Sequence, residues 1–166
     1  RQSEYLAGRL CAALALRDIG VAGQVGRAGR APVWPAGTSG SITHSAGRAM
    51  AVASDRIKAV GLDCEPLMSA QTLADVADMV TTPTEWTHQP ETYSRAEFCT
   101  LIFSAKEAVY KALSPGLTDI PDFHEAQITR IESDNLRIAF WSSDVGVRFV
   151  WDEGDCVTLA IPELTR

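Results

Sequence analysis

The chain has 166 residues, 46% hydrophobic and 22% charged, with a formal net charge of −6. That suits one globular domain, or two small halves sharing a core. No apolar run approaches the ~20 residues that span a bilayer, and an acidic chain is a poor general nucleic-acid binder. Four scattered cysteines (Cys11, Cys64, Cys99, Cys156) form no C-x-x-C pair. Their spacing argues against a zinc site or a disulfide framework, and for a reducing, cytoplasmic setting. The charge is uneven. Residues 1–60 carry eight Lys/Arg against three acids, and the remainder seven against eighteen. A basic first third suits a small phosphorylated ligand or an acidic protein partner.

The first element is an amphipathic helix from Glu4 to about Ile19. Tyr5, Leu6, Leu10, Ala13, Leu14 and Leu16 are its expected apolar side, and Gly20 stops it. Arg9 leaves this helix near the edge of the stripe. Residues 21–40 are rich in Gly, Pro and Ala, and Pro32 and Pro35 argue against regular structure there. Long loops inside compact domains are usually functional. This one carries Arg27 and Arg30 among glycines, with Trp34 as a packing anchor. Gly40–Ser45 reads as a strand and Ala49–Ser54 as its hairpin partner across Gly47. Ser41, Thr43 and Ser45 face one way, Ile42 and His44 the other. His44 is a candidate phosphate donor or proton carrier.

Residues 59–65 read as a short strand that Pro66 stops. Period two places Asp63 and Glu65 on one face, and Val60, Leu62 and Cys64 on the other. Two carboxylates on one face repel unless a cation sits between them. Mg²⁺ favours a few carboxylates with water and substrate phosphates. A solvated edge strand is the plainer alternative.

Thr72–Val80 reads as a short helix capped by Ser69 or Thr72, and Pro83 opens another after Thr82. Ser94, with Glu97 three residues on, opens a long helix that runs to Leu113. Phe98, Leu101, Ile102, Ala105, Val109 and Ala112 form its apolar stripe. Glu107 lies roughly opposite, with Lys111 at i+4. By itself this is an ordinary surface ion pair. Residues 126–131, 136–140, 145–150 and 157–161 are β-rich and separated by turn signals, which predicts an antiparallel meander.

Three motifs occur in order: Gly40-Ser41-Ile42-Thr43-His44, Gly61-Leu62-Asp63-Cys64-Glu65-Pro66 and Phe103-Ser104-Ala105-Lys106-Glu107-Ala108-Val109-Tyr110-Lys111. With them the chain resembles the 4′-phosphopantetheinyl transferases, nearest to the siderophore-type bacterial branch. Tyr5-Leu6-Ala7-Gly8-Arg9 and Arg30-Ala31-Pro32-Val33-Trp34-Pro35-Ala36-Gly37 fit the same pattern. The resemblance runs from Arg1 to about Phe123.

It implies transfer of the 4′-phosphopantetheine arm of coenzyme A to a serine of an apo carrier protein, with Mg²⁺ and release of 3′,5′-ADP. It implies Asp63, Glu65 and Glu107 as metal ligands. Glu107 would take the serine proton, directly or through a water. Lys111 would stabilise the phosphoryl group in transit, and His44 would share in the catalytic work. Arg1, Arg9, Arg30, Thr43, His44, Lys106 and Lys111 would bind the coenzyme, with Arg27 the alternative to Arg30. It also implies an α+β fold of two similar halves about a pseudo-twofold, a ligand cleft between them, and a monomer. The halves are expected at residues 1–80 and 81–166. Relatives carry a further N-terminal segment, so residues upstream of Arg1 are expected.

The residues themselves agree. The candidate cationic contacts concentrate in the basic first third. An attacking serine supplied by another protein explains why no serine–histidine nucleophile motif is present. Two other readings stay open: another Mg²⁺-dependent phosphoryl-transfer enzyme, and a non-catalytic relative that binds carrier proteins.

Overall fold

The structure, a computed structural model, describes residues 2–29, 31–45, 47–117 and 121–163. Helix α1 (Gln2–Asp18) packs on an antiparallel hairpin, β3 (Ser39–Ser45) and β4 (Arg48–Ser54), which turns at Gly47 (φ 84°). Helix α4 (Arg95–Leu113) packs on the five-stranded antiparallel sheet β5-β9-β8-β7-β6. Its strands are β5 (Gly61–Pro66), β6 (Ala126–Ile131), β7 (Asn135–Phe140), β8 (Ser143–Asp152) and β9 (Asp155–Pro162). Two short helices, α2 (Ala70–Val80) and α3 (Pro83–Trp86), bridge β5 to α4. Among the described residues, no helix is long and apolar enough to cross a membrane.

The local chemistry accounts for most boundaries. Ser69 caps α2 by accepting from the Thr72 N–H. Thr82 with Glu85, and Ser94 with Glu97, form reciprocal capping boxes at the starts of α3 and α4. The α4 stripe is buried throughout, from Phe98 to Ala112. It meets Leu136, Ile138, Val145, Val147 and Ala160 from the sheet.

Two expectations are corrected. First, the buried face of α1 is rotated from the expected stripe. Leu16 is buried as expected, but Gly8 and Ala12 join it inside, while Leu6 and Leu10 are 60% and 62% exposed. The small residues set this packing, since a Cβ on Gly8 would come within 2.8 Å of Ile42 Cγ2. Second, the Pro-rich loop contains a short ribbon, β1 (Gly26–Ala28) with β2 (Ala31–Val33). Pro32 is tolerated because each strand of a two-stranded ribbon is an edge. The acidic strand β5 pairs with β9 and so belongs to the five-stranded sheet.

Close approach also explains Gly61. A Cβ there would sit 1.8 Å from the Ala108 carbonyl oxygen, so only glycine lets β5 slide under α4. That contact covers the face carrying Asp63.

Candidate active site

The site forms where β3, β5 and α4 meet. Asp63, 2% exposed, accepts from Lys111 Nζ at 2.5 Å and from Thr43 Oγ1 at 3.3 Å on Oδ1. Its Oδ2 accepts from Ser104 Oγ at 2.9 Å. Ser104 is itself fixed by Thr158, whose hydroxyl lies 2.9 Å away and bonds the Ser104 carbonyl. Lys111 also reaches Thr43 Oγ1 and the Leu62 carbonyl, each at 3.3 Å. Lys111 therefore pairs with an aspartate 48 residues upstream, not simply with its helical neighbour Glu107.

The carboxylates feel one another. Glu65 is pushed up to about 7, by burial first and then by Asp63, with Glu107 and Asp155 adding and Lys111 opposing. Glu107 is raised by burial and by Asp63, against Lys111. A carboxyl raised in the folded chain contributes stability below the usual carboxylate range. Glu65 loses that contribution as pH rises through about 7. Three carboxyl groups thus crowd around the single ammonium of Lys111. Among the described residues, no three His, Cys, Asp or Glu side chains are gathered tightly enough to cage a metal as they stand. The donor chemistry nevertheless fits a hard divalent cation: the donors are carboxyl oxygens, and no soft ligand is among them.

Two cavities lie on the elements that build this centre. One, about 260 Å³, is lined by Glu4, Tyr5, Gly8, Arg9, Arg27, Pro32, Ile42 and His44, two arginines against one carboxyl. Arg9 Nη1 donates to the Val25 and Gly26 carbonyls at 2.7 Å each, which ties α1 to the ribbon. Both guanidinium groups lie over the Tyr5 ring, 5.1 and 5.7 Å from its centroid. A cationic, aromatic hollow of this kind suits a phosphorylated ligand. The other cavity, about 850 Å³, runs from Val33, Trp34 and Lys58 past Lys111 and Leu113 to Trp141.

Hydrogen bonds join Thr43, Asp63 and Lys111; Glu65 and Glu107 lie near enough to feel Asp63 and Lys111; and Arg9 and His44 line the basic cavity. Arg1 and Arg30 lie outside the described residues; Arg27, the alternative loop arginine, lines that cavity. Lys106 is not brought to the site. Its side chain is 1% exposed, and its ammonium donates to Glu85 at 2.9 Å, the Val80 carbonyl at 2.8 Å and the Phe123 carbonyl at 2.9 Å. Those three bonds use its three protons. Glu85, fully buried, also accepts from the Thr82 and Ile128 backbone N–H groups at 2.9 Å. The expectation that Lys106 binds a coenzyme is corrected on this ground.

Sequence reasoning missed Ser104 and Thr158, which orient Asp63, because nothing local pairs a mid-helix serine with a strand 54 residues on. It also missed Trp141. This residue sits at φ 50° in the β7–β8 turn, its indole N–H bonded to Glu125 Oε2 at 2.5 Å.

Comparison with known proteins finds relatives over the whole chain. The family model described as 4′-phosphopantetheinyl transferase superfamily matches residues 59–157, and that of the 4′-phosphopantetheinyl transferase N-terminal domain matches residues 1–54. Enterobactin synthase component D of Salmonella typhimurium is 39% identical, over 100% of this chain and 74% of that protein. The 4′-phosphopantetheinyl transferase PptT of Mycobacterium tuberculosis is 35% identical, over 99% and 71%. Among solved structures, the holo-(acyl-carrier-protein) synthase of Bacillus anthracis in complex with CoA (3′,5′-ADP) superposes with a TM-score of 0.55. It is 18% identical and covers 66% of this chain and 98% of that one.

Proposed function

Because the chain belongs to the 4′-phosphopantetheinyl transferase superfamily, we propose that it moves the phosphopantetheine arm of coenzyme A onto a serine hydroxyl of an apo carrier protein. The observation that carries this reading is the Asp63–Lys111–Thr43 cluster, with Glu65 and Glu107 beside it and the arginine-lined hollow next to it. A diphosphate needs its charge neutralised before a hydroxyl can attack phosphorus.

Asp63, Glu65 and Glu107 would hold Mg²⁺, which when bound supplies Lewis-acid polarisation of the diphosphate. The chain's own groups do the rest. Lys111 places a cation beside the reacting phosphoryl group. Glu107, held with a raised proton affinity, is suited to take the serine proton. Arg9 and Arg27, with His44, hold the outer phosphates in the basic hollow. The acceptor is a carrier domain of a siderophore synthetase, a reading supported by the enterobactin synthase relatives. Both walls of the site come from one chain, so it works as a monomer. A coenzyme A substrate and four free cysteines suit the cytoplasm.

The test is incubation with coenzyme A, Mg²⁺ and a panel of apo carrier proteins. A mass gain of one phosphopantetheine on a carrier is expected. Coenzyme A hydrolysis with no acceptor modified would favour the alternative phosphoryl-transfer reading.

A further inference from the structure

We infer that Arg48 is a positioning residue that latches the coenzyme-binding hairpin to the acidic strand across the seam between the two sheets. This rests on the proposed transferase reading, in which β3 contacts the phosphates and β5 holds the carboxylates.

The seam is weakly fastened near the chemistry. Strands β3 and β5 lie side by side but belong to separate sheets and share no ladder. Hydroxyl groups join them instead. Ser41 Oγ reaches the Leu62 carbonyl at 3.5 Å, and Thr43 reaches Asp63 at 3.3 Å. Ser39 Oγ adds a 2.5 Å bond to the Ile57 carbonyl at the opposite end. The two partners of Thr43, Asp63 and Lys111, are the groups for which a phosphate or a cation competes. The hairpin's register against β5 must therefore be held by something the ligand leaves alone.

Arg48 meets that need. It opens β4 directly opposite Ser45, next to the turn that follows His44. Its Nη2 donates to Asp152 Oδ2 at 2.7 Å, and its Nη1 to Asp155 Oδ2 at 3.0 Å and the Asp152 carbonyl at 3.4 Å. Those aspartates flank the β8–β9 turn. Asp155 in turn pairs with Pro66, and its neighbour Cys156 with Glu65. One guanidinium thus ties the end of the hairpin that presents Thr43 and His44 to the end of the strand that presents Glu65. The latch is forked: the Asp152 arm is 55% exposed at its carboxyl, but the Asp155 side chain is 13% exposed, so that arm is held better than a surface pair. It also joins the segment matched by the N-terminal family model to that matched by the superfamily model.

The test is steady-state transfer by wild type, Arg48→Ala, and the exchanged pair Arg48→Asp with Asp152→Arg, alongside calorimetric titration of coenzyme A. Arg48→Ala is expected to stay folded and raise KM and Kd for coenzyme A about three- to tenfold. Its kcat should stay near the wild-type value, and the exchanged pair should recover part of the affinity. A general loss of folded protein would lower kcat and leave KM alone, so it is distinguishable. Wild-type KM and Kd in Arg48→Ala would overturn the latch. Absence of transfer by the wild type would instead overturn the transferase reading beneath it.

Discussion

Replacing Asp63 by Asn lowers kcat/KM for transfer by at least about 10²–10³-fold and leaves the chain folded. Asn keeps the shape and can still bond Ser104 and Thr43, but it cannot balance the Lys111 ammonium that now sits 2.5 Å from Oδ1. Lys111 keeps 27% of its side chain exposed, so water can take over part of the lost pairing. The stability cost is accordingly about 1–3 kcal/mol, in the range for a hydrogen bond to a charged group. Catalysis suffers more, because one of three carboxylates loses its charge and Lys111 loses its anchor. Transfer followed by mass spectrometry, with circular dichroism on the same preparation, checks this. Near wild-type turnover would contradict the assignment of Asp63.

Lys106→Met gives the opposite pattern: a loss of about 3–5 kcal/mol in stability, with an unchanged KM for coenzyme A in the molecules that remain folded. The substitution strands Glu85 as a fully buried charge without its cation. It also orphans the Val80 and Phe123 carbonyls. Such a loss is a large share of a typical domain's stability, so the companion variant Glu85→Gln with Lys106→Met is needed. Removing both charges should recover much of the deficit. Urea denaturation of the three proteins measures the difference. A stable Lys106→Met with a raised KM would restore Lys106 to the ligand contacts.

Local signals in the sequence predict much of the fold. The α4 stripe, the Ser94 and Thr82 caps, the β3–β4 hairpin and the four-strand meander all rest on short-range patterns, and all are present. What short-range reading misjudged depends on partners far along the chain. Large side chains on α1 looked like its core face, yet Gly8 and Ala12 face inward because the helix must approach Ile42 closely. The acid pair on β5 could have been a solvated edge. Gly61, by admitting the α4 backbone, turns that face into a covered site. Lys106 shares a motif with Glu107, but Glu85, 21 residues upstream, decides where its charge goes. The same holds for Arg48, whose partners lie more than a hundred residues downstream. The motif residues Asp63, Glu65, Glu107 and Lys111 are named by the sequence. Their meeting, and the support of Ser104 and Thr158, belong to tertiary packing.

A cation shared between the carboxylates and a bound diphosphate is the centre of the proposed reaction, and calorimetric titration of coenzyme A at several Mg²⁺ concentrations measures it. Coenzyme A affinity should rise with Mg²⁺. The gain should grow from pH 6 to pH 8, because a cation competes with the proton that Glu65 holds up to about 7. Glu65→Gln should flatten that pH dependence. Coenzyme A binding of the same strength with and without Mg²⁺, at every pH and in both proteins, would contradict it.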